Sequence, residues 1–198
     1  EVVHALEQAG ADILHFDIED GSFVPEIRLG LKIISDLRPL TKLPFDIHLM
    51  VNNPEWLIPR LAAAGVERVS VHFEACPYPR RTLGLISKAG MQAGLAFNPK
   101  TPLPELQQYL PFLRFVSFLT TEPEEGDCAY LPSVLQKVRD GKSQSGGTQF
   151  EWEVDGGFHV NNMHEAVEAG ADIVVAGRGV FCGEDLQKTI QAMKKSGN

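Results

Sequence analysis

The sequence predicts an α/β fold, a TIM-type (β/α)8 barrel, and two observations carry that prediction. One phrase recurs along the chain: a helix ending in Ala-Gly, then a short apolar run, then polar residues. It reads AGADILHFDIED from Ala9, AGVERVSVHFEA from Ala64, AGMQAGLAFNP from Ala89 and AGADIVVAGRG from Ala169. Glycine stops a helix because positive φ costs it little, and an apolar run that follows at once is the mark of a buried parallel strand. The second observation is that histidines and acids gather where these apolar runs end, which is where a parallel barrel builds its sites.

Taken in order, strands are expected near Ile13–Ile18, Phe45–Leu49, Arg68–Phe73, Gln92–Phe97, Phe115–Leu119, Phe150–Val154 and Asp172–Ala176. Helices are expected near Leu31–Leu37, Pro54–Ala64, Arg80–Ala89, Leu103–Leu110, Leu131–Asp140, Asn161–Ala169 and Glu184–Lys195. Residues 1–9 read as one further helix with no strand before it, so the expectation is a single barrel domain over residues 1–198 that lacks its first strand. An open doubly wound sheet fits less well, because no G-x-G-x-x-G follows an early strand. The stretch from Gly141 to Thr148, GKSQSGGT, reads as a flexible polar loop.

Composition narrows the function. The chain has 198 residues, enough to bury a core, and its net charge of −8 argues against nucleic acid as a general partner. It leaves room for a small anion held by a few backbone N–H groups. Cys76, Cys128 and Cys182 make an odd count without C-x-x-C spacing, which points to reduced thiols and a cytoplasmic protein. No apolar run is long enough for a membrane span, and no signal peptide is visible.

The polar residues suggest a metal. His15 and Asp17 are two apart on one strand and so share a face. His48, then His72 with Glu74, Asn98 and Asp155 follow at the ends of successive strands. A single histidine at a strand end is more often a satisfied polar residue than a ligand. Four potential ligands from three strand ends, His15, Asp17, His48 and Asp155, reverse those odds in favour of one divalent ion of the Zn, Fe, Mn or Co kind. His72 and Glu74 either orient those ligands or form a polar rim without a role. His4, His159 and His164 read as surface or helix residues. Gly156-Gly157 after the seventh strand and Gly177-Arg178-Gly179 after the eighth stand where barrels commonly cradle a phosphate.

Across nearly the whole chain these segments resemble the ribulose-phosphate 3-epimerase family. The resemblance rests on HFDIEDGSFVP from His15, DIHLMVNNP from Asp46, HFEAC from His72, FNPKTPL from Phe97, then LPSVLQKVR, EVDGG and AGADIVVAGRGVF in order. It implies that His15, Asp17, His48 and Asp155 bind one divalent metal, and that Asp17 and Asp155 are the acid–base pair on opposite faces of a sugar phosphate. The implied reaction inverts C3 of a ketose phosphate, either ribulose 5-phosphate/xylulose 5-phosphate or a relative such as allulose 6-phosphate. It also implies substrate contacts from Met50, Gly126, Gly156, Gly157 and Gly177, to which this sequence adds Arg178 as a candidate, and self-association into a homo-oligomer.

Departures from the family pattern are equally visible. The glycine-rich loop after the sixth strand reads Glu122-Pro123-Glu124-Glu125-Gly126-Asp127-Cys128, which places acids where a phosphate would approach. Arg178 replaces a small hydroxyl residue, and either holds an anion or pairs with that acidic loop. Of three substrate-flanking methionines only Met50 survives, with Glu19 and Leu119 at the other two positions. These departures keep a second reading open: a barrel that binds metal or sugar without turnover. A metal-independent decarboxylase is disfavoured, because Asp17-Ile18-Glu19-Asp20 contains no lysine.

Overall fold

Seven apolar runs do form parallel strands. The computed structural model describes residues 1–123, 129–145, 150–183 and 185–196. Its strands are β1 (Leu14–Asp20), β2 (Ile27–Arg28), β3 (Phe45–Met50), β4 (Arg68–His72), β5 (Gln92–Phe97), β6 (Leu113–Leu119), β7 (Glu151–Asp155) and β8 (Ile173–Val175). They make one sheet in the order β2-β1-β3-β4-β5-β6-β7-β8, parallel throughout except that β2 runs antiparallel to β1. Helices α1 (Val2–Ala9), α2 (Leu31–Leu37), α3 (Ile58–Ala63), α4 (Pro79–Lys88), α5 (Leu135–Gln144), α6 (Met163–Ala169), α7 (Arg178–Phe181) and α8 (Leu186–Ser196) lie between and after them. The sheet curls into a barrel that stays open between β8 and the β1–β2 edge, in line with the expected (β/α)8 arrangement without its first strand.

The recurring Ala-Gly works as the sequence suggests. Gly10 takes φ 92°, and the N–H groups of Gly10 and Ala11 return to the carbonyls of Glu7 and Leu6, closing α1 just before β1. Gly170, with φ 91°, ends α6 in the same way before β8. Strand β3 is buried along all six residues, as expected of a strand covered on both faces. Residues of β8 are only half-buried, because that strand borders a cleft of about 1680 Å³ along the open side of the barrel. This cleft is lined by Leu14, Phe16 and Val174 and extends up to Asp17 and Asp155.

Three expectations need correction. Residues 103–106 are irregular and 107–110 form a turn, with no helix, because Pro102, Pro104 and Pro111 remove donors and restrict the residues before them. Helix α5 continues through Gly141 to Gln144, so the first half of the anticipated flexible loop is helical. Gly141 is buried there because a Cβ would stand 2.1 Å from the Trp152 ring; residues 146–149 lie outside the described residues. The hairpin arm β2 was not anticipated, since two residues carry no periodicity to read. Among the described residues no helix is long and apolar enough to cross a membrane.

Candidate metal centre

Strand alternation brings the anticipated quartet together. In β1, His15 and Asp17 share one face, and register sets Asp17 beside His48 of β3. Asp155 closes the group from the last position of β7. His15 Nε2 lies 3.3 Å from Asp17 Oδ1 and 3.6 Å from Asp155 Oδ2. His48 Nδ1 lies 3.4 Å from each of the same two oxygens, and one ligand atom from each residue falls within 4.8 Å of all the others. These spacings are longer than good hydrogen bonds. They match the edge of a tetrahedron, about 3.3–3.4 Å, whose corners sit 2.0–2.1 Å from its centre, the usual metal–ligand length.

Hydrogen bonds around the quartet fix which nitrogens face it. Glu74 accepts from the Asn98 N–H at 2.9 Å and from the Thr101 hydroxyl. Its carboxyl is pulled down to about 2: burial works against ionisation, but the bonds from His72, Thr101 and Asn98 prevail. An ionised carboxylate only accepts, so His72 Nδ1, 3.1 Å away, donates to it. Burial, reinforced by the charge of His48, pushes His72 down to about 4 in spite of Glu74. Neutral His72 therefore accepts at Nε2 from His48 Nε2, 2.9 Å away. That leaves His48 Nδ1, fully buried and without a hydrogen-bond partner, aimed between Asp17 and Asp155. Asp46 does the same for His15, accepting from Nδ1 at 2.7 Å and turning Nε2 to the quartet.

The electrostatics suit a cation. Burial disfavours charge on His48, yet Asp155 and Asp17 raise it to about 9. Burial likewise opposes a charged His15, and bonds to Asp17 and Asp46 raise it well above the ordinary histidine range. Asp17 is held ionised by both imidazoles against the effect of burial. Two carboxylates facing two basic imidazoles bind protons or a metal at the same atoms, and a divalent ion at this donor set displaces those protons. The donor chemistry, the spacing and the orphaned His48 nitrogen all fit a borderline divalent metal.

Beneath the quartet is a buried layer that the sequence reading missed. Arg68 is 3.5 Å from Asp46 Oδ1, 3.5 Å from Glu153 Oε2 and 2.5 Å from Glu151. Burial, with the nearby charge of Asp46, pushes the Glu153 carboxyl up to about 8. Asp46 was discoverable: it stands two before His48 and so faces the same side of β3. Thr120 was missed as well. Its hydroxyl donates to the Asp155 carbonyl at 2.9 Å and its N–H to the same oxygen at 2.7 Å, which ties the end of β6 to the residue that delivers Asp155.

The remaining anticipated residues line the surroundings. Met50 packs with Val24 and Leu119 under the β1–β2 connection, whose Phe23 ring lies 4.6 Å from that of His72. Gly156 and Gly157 take φ 112° and 77°, and Gly177 and Arg178 open α7 across the same cleft. The loops after β7 and β8 touch so closely that a Cβ on Gly179 would meet the Phe158 carbonyl at 2.0 Å. Gly126 and the acids Glu124, Glu125 and Asp127 lie outside the described residues.

The profile of the ribulose-phosphate 3 epimerase family matches residues 1–181. The chain belongs to this family. It is 39% identical over 194 residues to the ribulose-phosphate 3-epimerase of Bacillus subtilis, covering 96% of this chain and 89% of that protein. It is 38% identical over 189 residues to the Escherichia coli K12 ribulose-phosphate 3-epimerase, covering 94% and 84%. In fold it is similar to a crystal structure of KGPDC from Streptococcus mutans, with TM-score 0.69, 14% identity and 98% and 89% coverage. It is also similar to a tryptophan synthase α subunit from Legionella pneumophila, with TM-score 0.65, 12% identity and 99% and 85% coverage. The barrel class and membership of an epimerase family, both expected from the sequence, are thus borne out.

Proposed function

We propose that this chain is a metal-dependent epimerase that inverts C3 of a ketose phosphate, with ribulose 5-phosphate and xylulose 5-phosphate as the leading pair. The observation that carries the reading is the quartet itself: two carboxylates from β1 and β7 flank two imidazoles at metal-ligand spacing. A proton next to a ketone is weakly acidic, and its removal leaves an enediolate. A divalent metal held by His15, Asp17, His48 and Asp155 would supply electrostatic stabilisation of that charge. Inversion needs a base on one face of the carbon and an acid on the other. Asp17 comes from β1 and Asp155 from β7, and each turns one oxygen toward the two imidazoles; the second oxygen of each is assigned to the proton. One removes the C3 proton, and the other returns one to the opposite face.

The phosphate is assigned to the loops after β7 and β8. In this reading backbone N–H groups at Gly156, Gly157 and Gly177 would take the anion, and Arg178, which lines the same cleft, would add a cation. The reading includes one domain over residues 1–198, a cytoplasmic setting and self-association, which sedimentation would check. Its test is conversion of ribulose 5-phosphate in metal-loaded protein, with loss of turnover on chelation and recovery on adding Zn²⁺, Fe²⁺, Mn²⁺ or Co²⁺. Tight metal binding with no turnover on any ketose phosphate would favour a binding protein and overturn the proposal.

A further inference from the structure

Two residues beyond Asp17 on the same face of β1 stands Glu19, only 8% exposed and in register with Met50. Strand geometry sets it about 6.6 Å further toward the barrel mouth than Asp17. It lines the same cleft as Asp17, Met50, Leu119 and Asp155, next to the apolar cluster of Val24, Met50 and Leu119. Arg28 Nε lies 3.4 Å from Glu19 Oε2, and the other end of its guanidinium pairs with Glu26. Glu19 Oε2 is buried with no hydrogen bond. A carboxylate has about four lone-pair sites, so a single long ion pair leaves acceptor capacity on a side chain that lines the cleft, while Arg28 holds the group in place.

Resting on the ketose-phosphate reading above, we propose that Glu19 is a specificity-determining residue. It accepts a hydrogen bond from a hydroxyl of the bound sugar phosphate other than the one at the reacting carbon. An acceptor-only group beside the apolar side chains of Val24, Met50 and Leu119 favours a hydroxylated chain and rejects an analogue that lacks the hydroxyl, because the carboxylate then keeps only its long ion pair with Arg28.

The test is calorimetric titration of Zn²⁺-loaded wild type, Glu19→Gln and Glu19→Met. The ligands are ribulose 5-phosphate, as its equilibrated C3 epimers, and its counterparts lacking the C1 or the C4 hydroxyl. Wild type is expected to bind the full ketose at least about tenfold more tightly than one of the deoxy ligands. Glu19→Met is expected to bring that ratio to within about twofold of unity, and Glu19→Gln, which keeps an acceptor, to retain most of it. A wild type that does not discriminate, or a Glu19→Met that keeps the full ratio, overturns the assignment. A lowered melting temperature with the ratio intact would mark Glu19 as only an anchor for Arg28, and overturns it too. Turnover measured in parallel separates the two readings: discrimination without epimerisation sinks the epimerase alone, and epimerisation without discrimination sinks Glu19 alone.

Discussion

Replacing Asp46 by Asn tests how the metal centre is oriented without replacing any of its four ligands. Asp46 is 1% exposed and accepts from His15 Nδ1 at 2.7 Å. Asn removes the charge and, in one amide orientation, sets an N–H against the imidazole N–H. A hydrogen bond involving a charged group is worth about 1.5–3 kcal/mol. Loss of such an outer partner typically weakens metal affinity about 10–100-fold. Arg68 would also lose one of its three acidic partners and keep Glu151 and Glu153, so the fold should survive with a lower melting temperature. Competition with a chromogenic chelator at pH 7.5 measures the metal constant, and circular dichroism checks folding. A folded Asp46→Asn protein that binds Zn²⁺ within about twofold of wild type would refute the reasoning that Asp46 holds His15 in its ligating tautomer.

Three further outcomes follow from the buried groups. Glu153 has its carboxyl raised to about 8 in the folded chain against 4.5 ordinarily. The folded state therefore holds an extra proton between those values, and stability falls as pH rises through that window; Glu153→Gln should flatten the profile in thermal melts. Burial pushes the Cys76 thiol up to about 11, so at pH 8 iodoacetamide should label exposed Cys182 readily and Cys76 only after unfolding, as read by peptide mass spectrometry. Gly141→Ala should destabilise by about 1–3 kcal/mol despite alanine's higher helix propensity, because the new Cβ overpacks against Trp152; a gain in melting temperature would contradict that packing.

What was legible in the sequence followed physical periodicity. The Ala-Gly stops and apolar runs mark β1 and β8 because a positive-φ glycine and a buried strand each leave a local trace. Asp17, His48 and Asp155 were recoverable because strand ends are where a parallel barrel turns polar. The helix expected at residues 103–110 failed because an apolar pattern there conflicts with Pro102, Pro104 and Pro111, and the prolines decide the backbone. The Gly141 reading failed for a tertiary reason: that glycine serves the Trp152 ring and does not break the helix. Asp46, Arg68 and Glu153 went unread as a buried network, since Asp46 meets Glu153 and Arg68 only once the five strands from β3 to β7 lie side by side. The roles of His72 and Glu74 could not be settled by spacing; the 2.9 Å contact to His48 supplies the missing connection.

In the proposed reaction Asp17 and Asp155 carry the two proton transfers of a C3 epimerisation. Incubating metal-loaded protein with ribulose 5-phosphate in deuterated water, and following deuterium at C3 by NMR, tests it most directly. Wild type is expected to place deuterium at C3 as it epimerises. Asp17→Asn and Asp155→Asn are each expected to abolish epimerisation, checked in parallel for retained metal because both residues also belong to the quartet. Near-normal epimerisation in either metal-loaded variant would contradict the role assigned to that carboxylate.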